Sequence, residues 1–193
     1  MINQNIFKSY DIRGVYPEEL DKKTAFLIGR AFVRKTGAKD VVVGYDARLS
    51  SIELMKAFEE GVASEGSKVT TIGQAPSECL YFAAGYYSFD AGVMITASHN
   101  PKEYNGFKMT VKNGNNIQII SGKELLAEVQ QLSQDKVLPA SVEVGQKDIW
   151  SDYVKHVLSF VDLSKIMPLK IVVDASNGVA VLAIEKIKDK LPC

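Results

Sequence analysis

Between residues 22 and 36 apolar side chains return every three or four positions, and Ala25, Ile28, Phe32 and Val33 share one stripe. That period predicts an amphipathic helix, capped by Asp21 and ended by Gly37. Val41-Val42-Val43-Gly44-Tyr45 replaces the period with a continuous β-branched run, the pattern of a strand covered on both faces. Ser50 and Glu53 have capping-box spacing for a helix over about 51–65. Lys68 to Ile72 reads as a second strand. Ser77 opens a short helix carrying Leu80, Tyr81 and Ala84, and Gly92 to Thr96 reads as a third buried strand. Strands alternating with helices imply right-handed crossovers and a mainly parallel sheet.

The pattern changes after Pro101. Phe107 to Lys112 and Asn116 to Ile120 flank Asn113-Gly114, a type I′ hairpin signal, so the sheet gains an antiparallel element. Ser121 and Glu124 cap a helix to about Leu132, whose stripe Leu125, Val129, Leu132 reads as core. The polar stretch 133–149, with Pro139 and Gly145, reads as a connection, and a helix over about 151–162 leads onward. Leu169 to Asp174 is a fresh apolar strand pattern, followed by a turn at Asp174-Ala175-Ser176-Asn177-Gly178 and an amphipathic helix. One strand and one helix cannot cover both faces of that strand. The expected fold class is therefore α/β: a three-layer α/β/α domain on a mixed, mainly parallel sheet (residues 1–149), a linker helix (150–167) and an incomplete second α/β domain (168–193). Its exposed strand edge predicts that 168–193 either pairs with a second copy or packs loosely on the first domain, and the chain reads as a fragment of a longer enzyme.

Composition narrows the partners. The 193 residues carry 23 basic and 23 acidic side chains, which argues against a nucleic-acid binder working through a basic surface. A local cationic pocket for a small phosphorylated ligand stays open. No apolar run reaches the ~20 residues of a membrane helix, and no signal-peptide pattern opens the chain. Cys79 and Cys193 lack disulfide or metal spacing, so a cytoplasmic protein with free thiols is expected.

The chemistry concentrates at Thr96-Ala97-Ser98-His99-Asn100-Pro101. An apolar strand ends in a serine, and Pro101 stops the strand. Ser98 therefore sits on a loop at the carboxyl edge of the sheet, where open α/β folds bind ligands. Lys108 follows in Tyr104-Asn105-Gly106-Phe107-Lys108 at a strand start, and Arg13 lies in an N-terminal loop, Asp11-Ile12-Arg13-Gly14. A positioned hydroxyl with nearby cations suits chemistry on phosphate, where catalysis is mostly positioning and charge neutralisation. His99 adjoins Ser98 and points away from it on an extended loop, so it shapes the loop and helps hold phosphate. Asn100 orders the turn. Asp46 and Arg48 follow a strand end at the same edge; they either orient the serine loop or form an ion pair only. No Gly-x-Ser-x-Gly elbow and no Gly-x-Gly-x-x-Gly fingerprint is present.

Four stretches in order resemble the α-D-phosphohexomutase family, in its phosphomannomutase/phosphoglucomutase branch. They are Phe7-Lys8-Ser9-Tyr10-Asp11-Ile12-Arg13-Gly14, Val43-Gly44-Tyr45-Asp46-Ala47-Arg48-Leu49-Ser50, Thr96 to Pro101, and Glu103-Tyr104-Asn105-Gly106-Phe107-Lys108. Val172-Val173-Asp174 with Asn177-Gly178 resembles the opening of the family's second domain. The resemblance implies an isomerase that interconverts hexose 6-phosphate and hexose 1-phosphate, of mannose or glucose, through a phosphoserine at Ser98 and a bisphosphorylated hexose. It implies an acid/base role for Lys108, a place beside the reacting groups for Arg13, and sugar contact for Tyr10. It also implies Mg²⁺ on phosphorylated Ser98, held by aspartates of an Asp-Gly-Asp-x-Asp-Arg loop that these residues do not contain, so the chain alone is expected to be inactive. Two rivals remain: phosphoglucosamine mutase, and a non-catalytic module that binds sugar phosphates or a partner.

Overall fold

The computed structural model describes residues 2–134 and 142–193. Its centre is a seven-stranded sheet. The strands are β1 (Ile12–Val15), β2 (Asp40–Tyr45), β3 (Lys68–Gln74), β4 (Ala91–Ile95), β5 (Tyr104–Asn113), β6 (Asn116–Ile120) and β7 (Val144–Gln146). Their order is β1-β5-β4-β2-β3-β7, with β6 continuing the edge of β5 that β1 begins. β2, β3, β4 and β7 pair in parallel, while β5 pairs antiparallel with β4, β1 and β6. β5 alone runs against the others, so the sheet is mixed and mainly parallel, as the sequence pattern implies.

Six α-helices lie among the described residues: α1 (Lys22–Thr36), α2 (Ser51–Ser64), α3 (Ser77–Tyr86), α4 (Gly122–Leu132), α5 (Trp150–Leu158) and α6 (Ala180–Ile187), the last of which buries no residue. One core joins α1, α2 and α4 to one face of the sheet, and a second joins α3 and the start of α5 to the other. Along β2, Val41 and Val43 enter the first core and Val42 the second, as a strand buried on both faces requires. Local caps set several boundaries where the sequence puts them. Asp21 accepts from the Thr24 amide at 2.8 Å, Gly37 closes α1 in the left-handed region, and Ser121 with Glu124 forms a complete capping box.

Other expectations need correction. Ser50 does not cap α2: it is helical, at φ −80° and ψ −9°, and its hydroxyl accepts from Asn105 Nδ2 at 2.8 Å. Glu53 bonds Lys22 Nζ at 2.7 Å and the Tyr16 hydroxyl, so a cation and a phenol outcompete the capping amide. The hairpin loop is Gly114-Asn115, one residue later than expected, and of the two only Gly114 has a positive φ, at 60°. That fits a type II′ turn better than I′. Arg13 is not in a loop but in β1, which is paired with β5. Lys108 is not at a strand start but within β5, opposite Met94. The connection 133–149, partly outside the described residues, contains β7 on the edge of β3. The strand expected at Leu169 to Asp174 does not form. Leu169, Ile171, Val172 and Val173 are exposed, and no strand among the described residues supplies them with hydrogen-bond partners.

α1 and α2 cross at reciprocal glycines. A Cβ on Gly61 would lie 2.1 Å from the Phe26 carbonyl oxygen, and one on Gly29 would lie 2.3 Å from that of Phe58. Backbone cannot yield as a side-chain tip does, so Gly61→Ala must push the helices apart. The expected cost is about 1–3 kcal/mol, read as a lowered urea midpoint.

Glu59 on α2 is 4 % exposed, and its Oε1 has no hydrogen-bond partner. Burial pushes its carboxyl up to about 7, against a smaller opposing effect of Lys56. A carboxyl raised in the folded state binds more protons folded than unfolded between the two pKa values. Stability therefore falls as pH rises from about 4.5 to about 7, by on the order of 2–3 kcal/mol. Denaturant melts across that range should show the slope, and Glu59→Gln should flatten it.

Candidate functional site

Ser98 ends the chain's exit from β4 in an uncommon backbone conformation, with φ 57°. A non-glycine residue there costs about 1–2 kcal/mol, so the surroundings must hold it. From within the loop, the Thr96 hydroxyl accepts from the Ser98 amide at 2.9 Å, and Asn100 N–H donates to the Ala97 carbonyl at 3.1 Å. The Ser98 side chain is exposed, and its hydroxyl makes no hydrogen bond among the described residues.

Arg48 holds the loop from behind. Nη1 donates to the Pro101 carbonyl at 2.6 Å and the Tyr104 carbonyl at 2.8 Å. Nη2 donates to the Ser98 carbonyl at 2.9 Å and the Asn100 carbonyl at 2.7 Å. Nε donates to Asp46 Oδ2 at 3.1 Å, so all five guanidinium N–H groups are used. Asp46 also accepts from the Thr96 hydroxyl at 2.7 Å and the Ser51 hydroxyl at 2.8 Å. The two readings of Asp46 and Arg48 therefore coexist: the ion pair is also the brace of the serine loop. Asn105, fully buried, adds a second tie by donating to the hydroxyls of Ser50 and Ser51.

β1 brings Arg13 to the same loop. Its Nε donates to Asp11 Oδ2 and its Nη1 to Asn100 Oδ1, both at 2.7 Å. Asp11 is 1 % exposed, and its other oxygen is buried with no hydrogen-bond partner, so Arg13 is what balances its charge. The Arg13 guanidinium also lies 5.6 Å from the ring centre of the exposed Tyr10. Tyr10, Arg13, His99 and Asn100 line one open cleft of about 1150 Å³. Ser98 and Lys108 are not among its lining residues. Lys108 is half-buried, and its side chain has no ion pair or hydrogen bond among the described residues. It follows Gly106, the partner of Arg13, by two positions in β5, so the register puts Arg13 and Lys108 on one face of the sheet.

The residues described do not fit a complete Mg²⁺ site. Among them no three His, Cys, Asp or Glu side chains converge on a point, and Asp46 is spent on Arg48, Thr96 and Ser51. Ser98 would offer one oxygen. Thiol chemistry is equally unsupported at Cys79, which is buried, burial pushing its thiol up to about 12. A salt bridge from Arg13 to Asp11 or Asp46 is the alternative the sequence also leaves for Arg13, and Asp11 is the partner; sequence reasoning missed Thr96, Ser51 and Asn105, whose short polar side chains signal a role only once the strands are paired. No helix among the described residues is long and apolar enough to cross a membrane.

Residues 4–136 match the family model described as phosphoglucomutase/phosphomannomutase, alpha/beta/alpha domain I. A phosphomannomutase of Salmonella montevideo is 37% identical over 99% of this chain and 42% of its own length. A phosphoglucomutase of Neisseria meningitidis is 40% identical over 92% of this chain and 38% of its own length. The crystal structure of a phosphoglucomutase/phosphomannomutase family protein from Burkholderia thailandensis superposes with a TM-score of 0.85 at 37% identity. It covers 100% of this chain and 43% of that one. The chain thus spans about two fifths of the length of the relatives it matches.

Proposed function

Because the chain belongs to the phosphoglucomutase/phosphomannomutase family, we propose that it carries the phosphoryl-accepting serine of a phosphohexose mutase, with Ser98 as phosphate carrier for mannose or glucose phosphates. The observation that carries the reading is the contrast at Ser98: a backbone held at both its amide and its carbonyl beneath an exposed hydroxyl that has no partner among the described residues. A nucleophile that must meet a phosphorus atom in line gains most from such fixed placement.

Charging the serine balances simply. Ser98 Oγ attacks a phosphorus of a hexose bisphosphate, the bond from that phosphorus to the sugar oxygen breaks, and the serine proton ends on the departing sugar oxygen. Lys108 carries that proton between the two oxygens, and Arg13 neutralises the charge on the transferring group. The reverse step returns the phosphoryl group to the other end of the sugar. Tyr10 lies against the sugar ring, His99 contacts phosphate, and Asn100 keeps Arg13 aligned with the loop. The Mg²⁺ expected of the family would need carboxylates besides those described, and none of these steps is routed through it.

The domain reading goes with this function: residues 1–149 as the serine-bearing domain, 150–167 as linker and 168–193 as the opening of a second unit. The 193 residues alone should then accept phosphate without sustained turnover. The test is to incubate the protein with glucose 1,6-bisphosphate and Mg²⁺ and locate the modification by fragmentation mass spectrometry. One phosphoryl group on Ser98 is expected; an unmodified chain, or a group elsewhere, overturns the reading.

A further inference from the structure

Thr96 stands directly after β4 and is 4 % exposed, and the steps at Ser98 give it no task. Its main chain is fixed to β5, where the Thr96 amide donates to the Gly106 carbonyl at 2.9 Å. The residue before it is tied to the other side, the Ile95 carbonyl accepting from the Asp46 amide at 3.0 Å. The threonine hydroxyl is thereby set between a carboxylate and the amide of Ser98.

The chemistry of the partners settles the direction of both bonds. A carboxylate only accepts, so the single hydroxyl proton of Thr96 goes to Asp46 Oδ2 at 2.7 Å. The Ser98 N–H only donates, so it meets a lone pair of the same oxygen at 2.9 Å. Asp46 is itself held: its Oδ1 accepts from the Arg48 amide at 3.0 Å and from the Ser51 hydroxyl at 2.8 Å, and Asn105 Nδ2 backs Ser51 at 3.0 Å. Arg48 meanwhile donates to the Ser98 carbonyl. The two members of one ion pair therefore take the two ends of the same residue, Arg48 directly at the carbonyl and Asp46 through Thr96 at the amide. Both peptide planes that define φ and ψ of Ser98 are pinned, at a φ of 57° that a serine does not keep unaided.

We propose that Thr96 is a positioning residue for phosphoryl transfer: its hydroxyl couples the Asp46–Arg48 pair to the Ser98 amide and so sets the aim of the Ser98 hydroxyl. The proposal rests on the phosphoserine reading above. Thr96 is buried and its hydroxyl is spent on protein partners, so it makes no contact with the sugar phosphate. Its loss should cost rate and leave the binding of the phosphoryl donor alone, because in-line attack depends on placement.

The test follows phosphoryl uptake by the whole 193-residue protein by intact mass, at varied glucose 1,6-bisphosphate with Mg²⁺. Thr96→Val keeps the shape and removes both bonds. Its rate at saturating donor should fall about tenfold or more, with the half-saturating concentration within about twofold of wild type. Thr96→Ser keeps the hydroxyl and should recover most of the rate. Ser67→Ala removes a buried hydroxyl that bonds the Ala38 carbonyl at 2.7 Å, beside the start of β3 and away from the serine loop, and should leave the rate unchanged. Amide exchange by NMR reads the same hold without any reaction: the Ser98 N–H should be protected in the wild type and in Thr96→Ser, and exchange about tenfold faster or more in Thr96→Val. The role is overturned by a valine variant at the wild-type rate, a loss confined to the half-saturating concentration, a serine variant no better than valine, a Ser67→Ala variant as slow as valine, or equal protection of the amide in wild type and valine variant. A wild type that takes up no phosphoryl group brings down the phosphoserine reading, and the amide exchange then decides by itself whether Thr96 holds Ser98.

Discussion

Ser98→Gly will take up no phosphoryl group from glucose 1,6-bisphosphate, and its melting profile will stay close to that of the wild type. The residue's φ of 57° is one that glycine adopts freely, so the loop keeps its path when the hydroxyl goes. The side chain is exposed and bonds to nothing described, so removing it leaves no buried group unpaired. Uptake should therefore fall to background while stability holds or rises slightly. Ser98→Thr is the informative companion. It keeps a hydroxyl but places a β-branched side chain at positive φ, which strains the loop. Uptake reduced well below wild type in the threonine variant would show that the hydroxyl's placement matters as much as its presence. Full uptake by the glycine variant would place the acceptor elsewhere.

Arg48→Met should damage both stability and uptake. It withdraws five donors at once, leaves four loop carbonyls without their partner and strips Asp46 of its cation. The Arg48 and Asp46 side chains are only 11% and 15% exposed. Removing one member of a largely buried pair costs about 3–5 kcal/mol, far above the worth of an exposed pair. Denaturant unfolding reads the loss. Uptake at Ser98 should drop further than the unfolded fraction accounts for, because the loop loses its brace even in molecules that stay folded. Arg48→Lys supplies three donors from one nitrogen and cannot span four carbonyls, so it should recover the balance with Asp46 but little of the uptake.

The elements that could be read from the sequence are those fixed locally. α1 begins and ends as expected because Asp21 and Gly37 act on residues within a turn of themselves. The three valines of β2 announce a strand buried on both faces because their own chemistry requires cover. The Ser50 spacing misleads for the converse reason: it is a valid capping box on paper, but Lys22, Tyr16 and Asn105, all distant in sequence, take both of its members. β1 has four residues, one of them glycine, and exists only because β5 pairs with it. Leu169 to Asp174 shows the opposite case, a strand-forming sequence with no strand beside it among the described residues. Within the site, Ser98 stands out from the strand–serine–proline pattern. Whether Arg48 braces the loop or merely pairs with Asp46 is undetermined in the sequence, because the carbonyls it binds belong to residues some fifty positions later.

The reversed course of β5 also fixes an order of events. Among the described residues β1 finds its one neighbouring strand in residues 104–107, and Arg13 finds its Asn100 contact no earlier than the end of the serine loop. As the chain leaves the ribosome, the parallel strands and their helices can assemble while the first fifteen residues wait without a template. Closing so long a stretch of chain costs entropy that local pairings avoid. The N-terminal motif is thus made first but docked only after β2, β3 and β4 can already have paired, and the anion-handling edge of the protein stays unfinished until β5 has emerged.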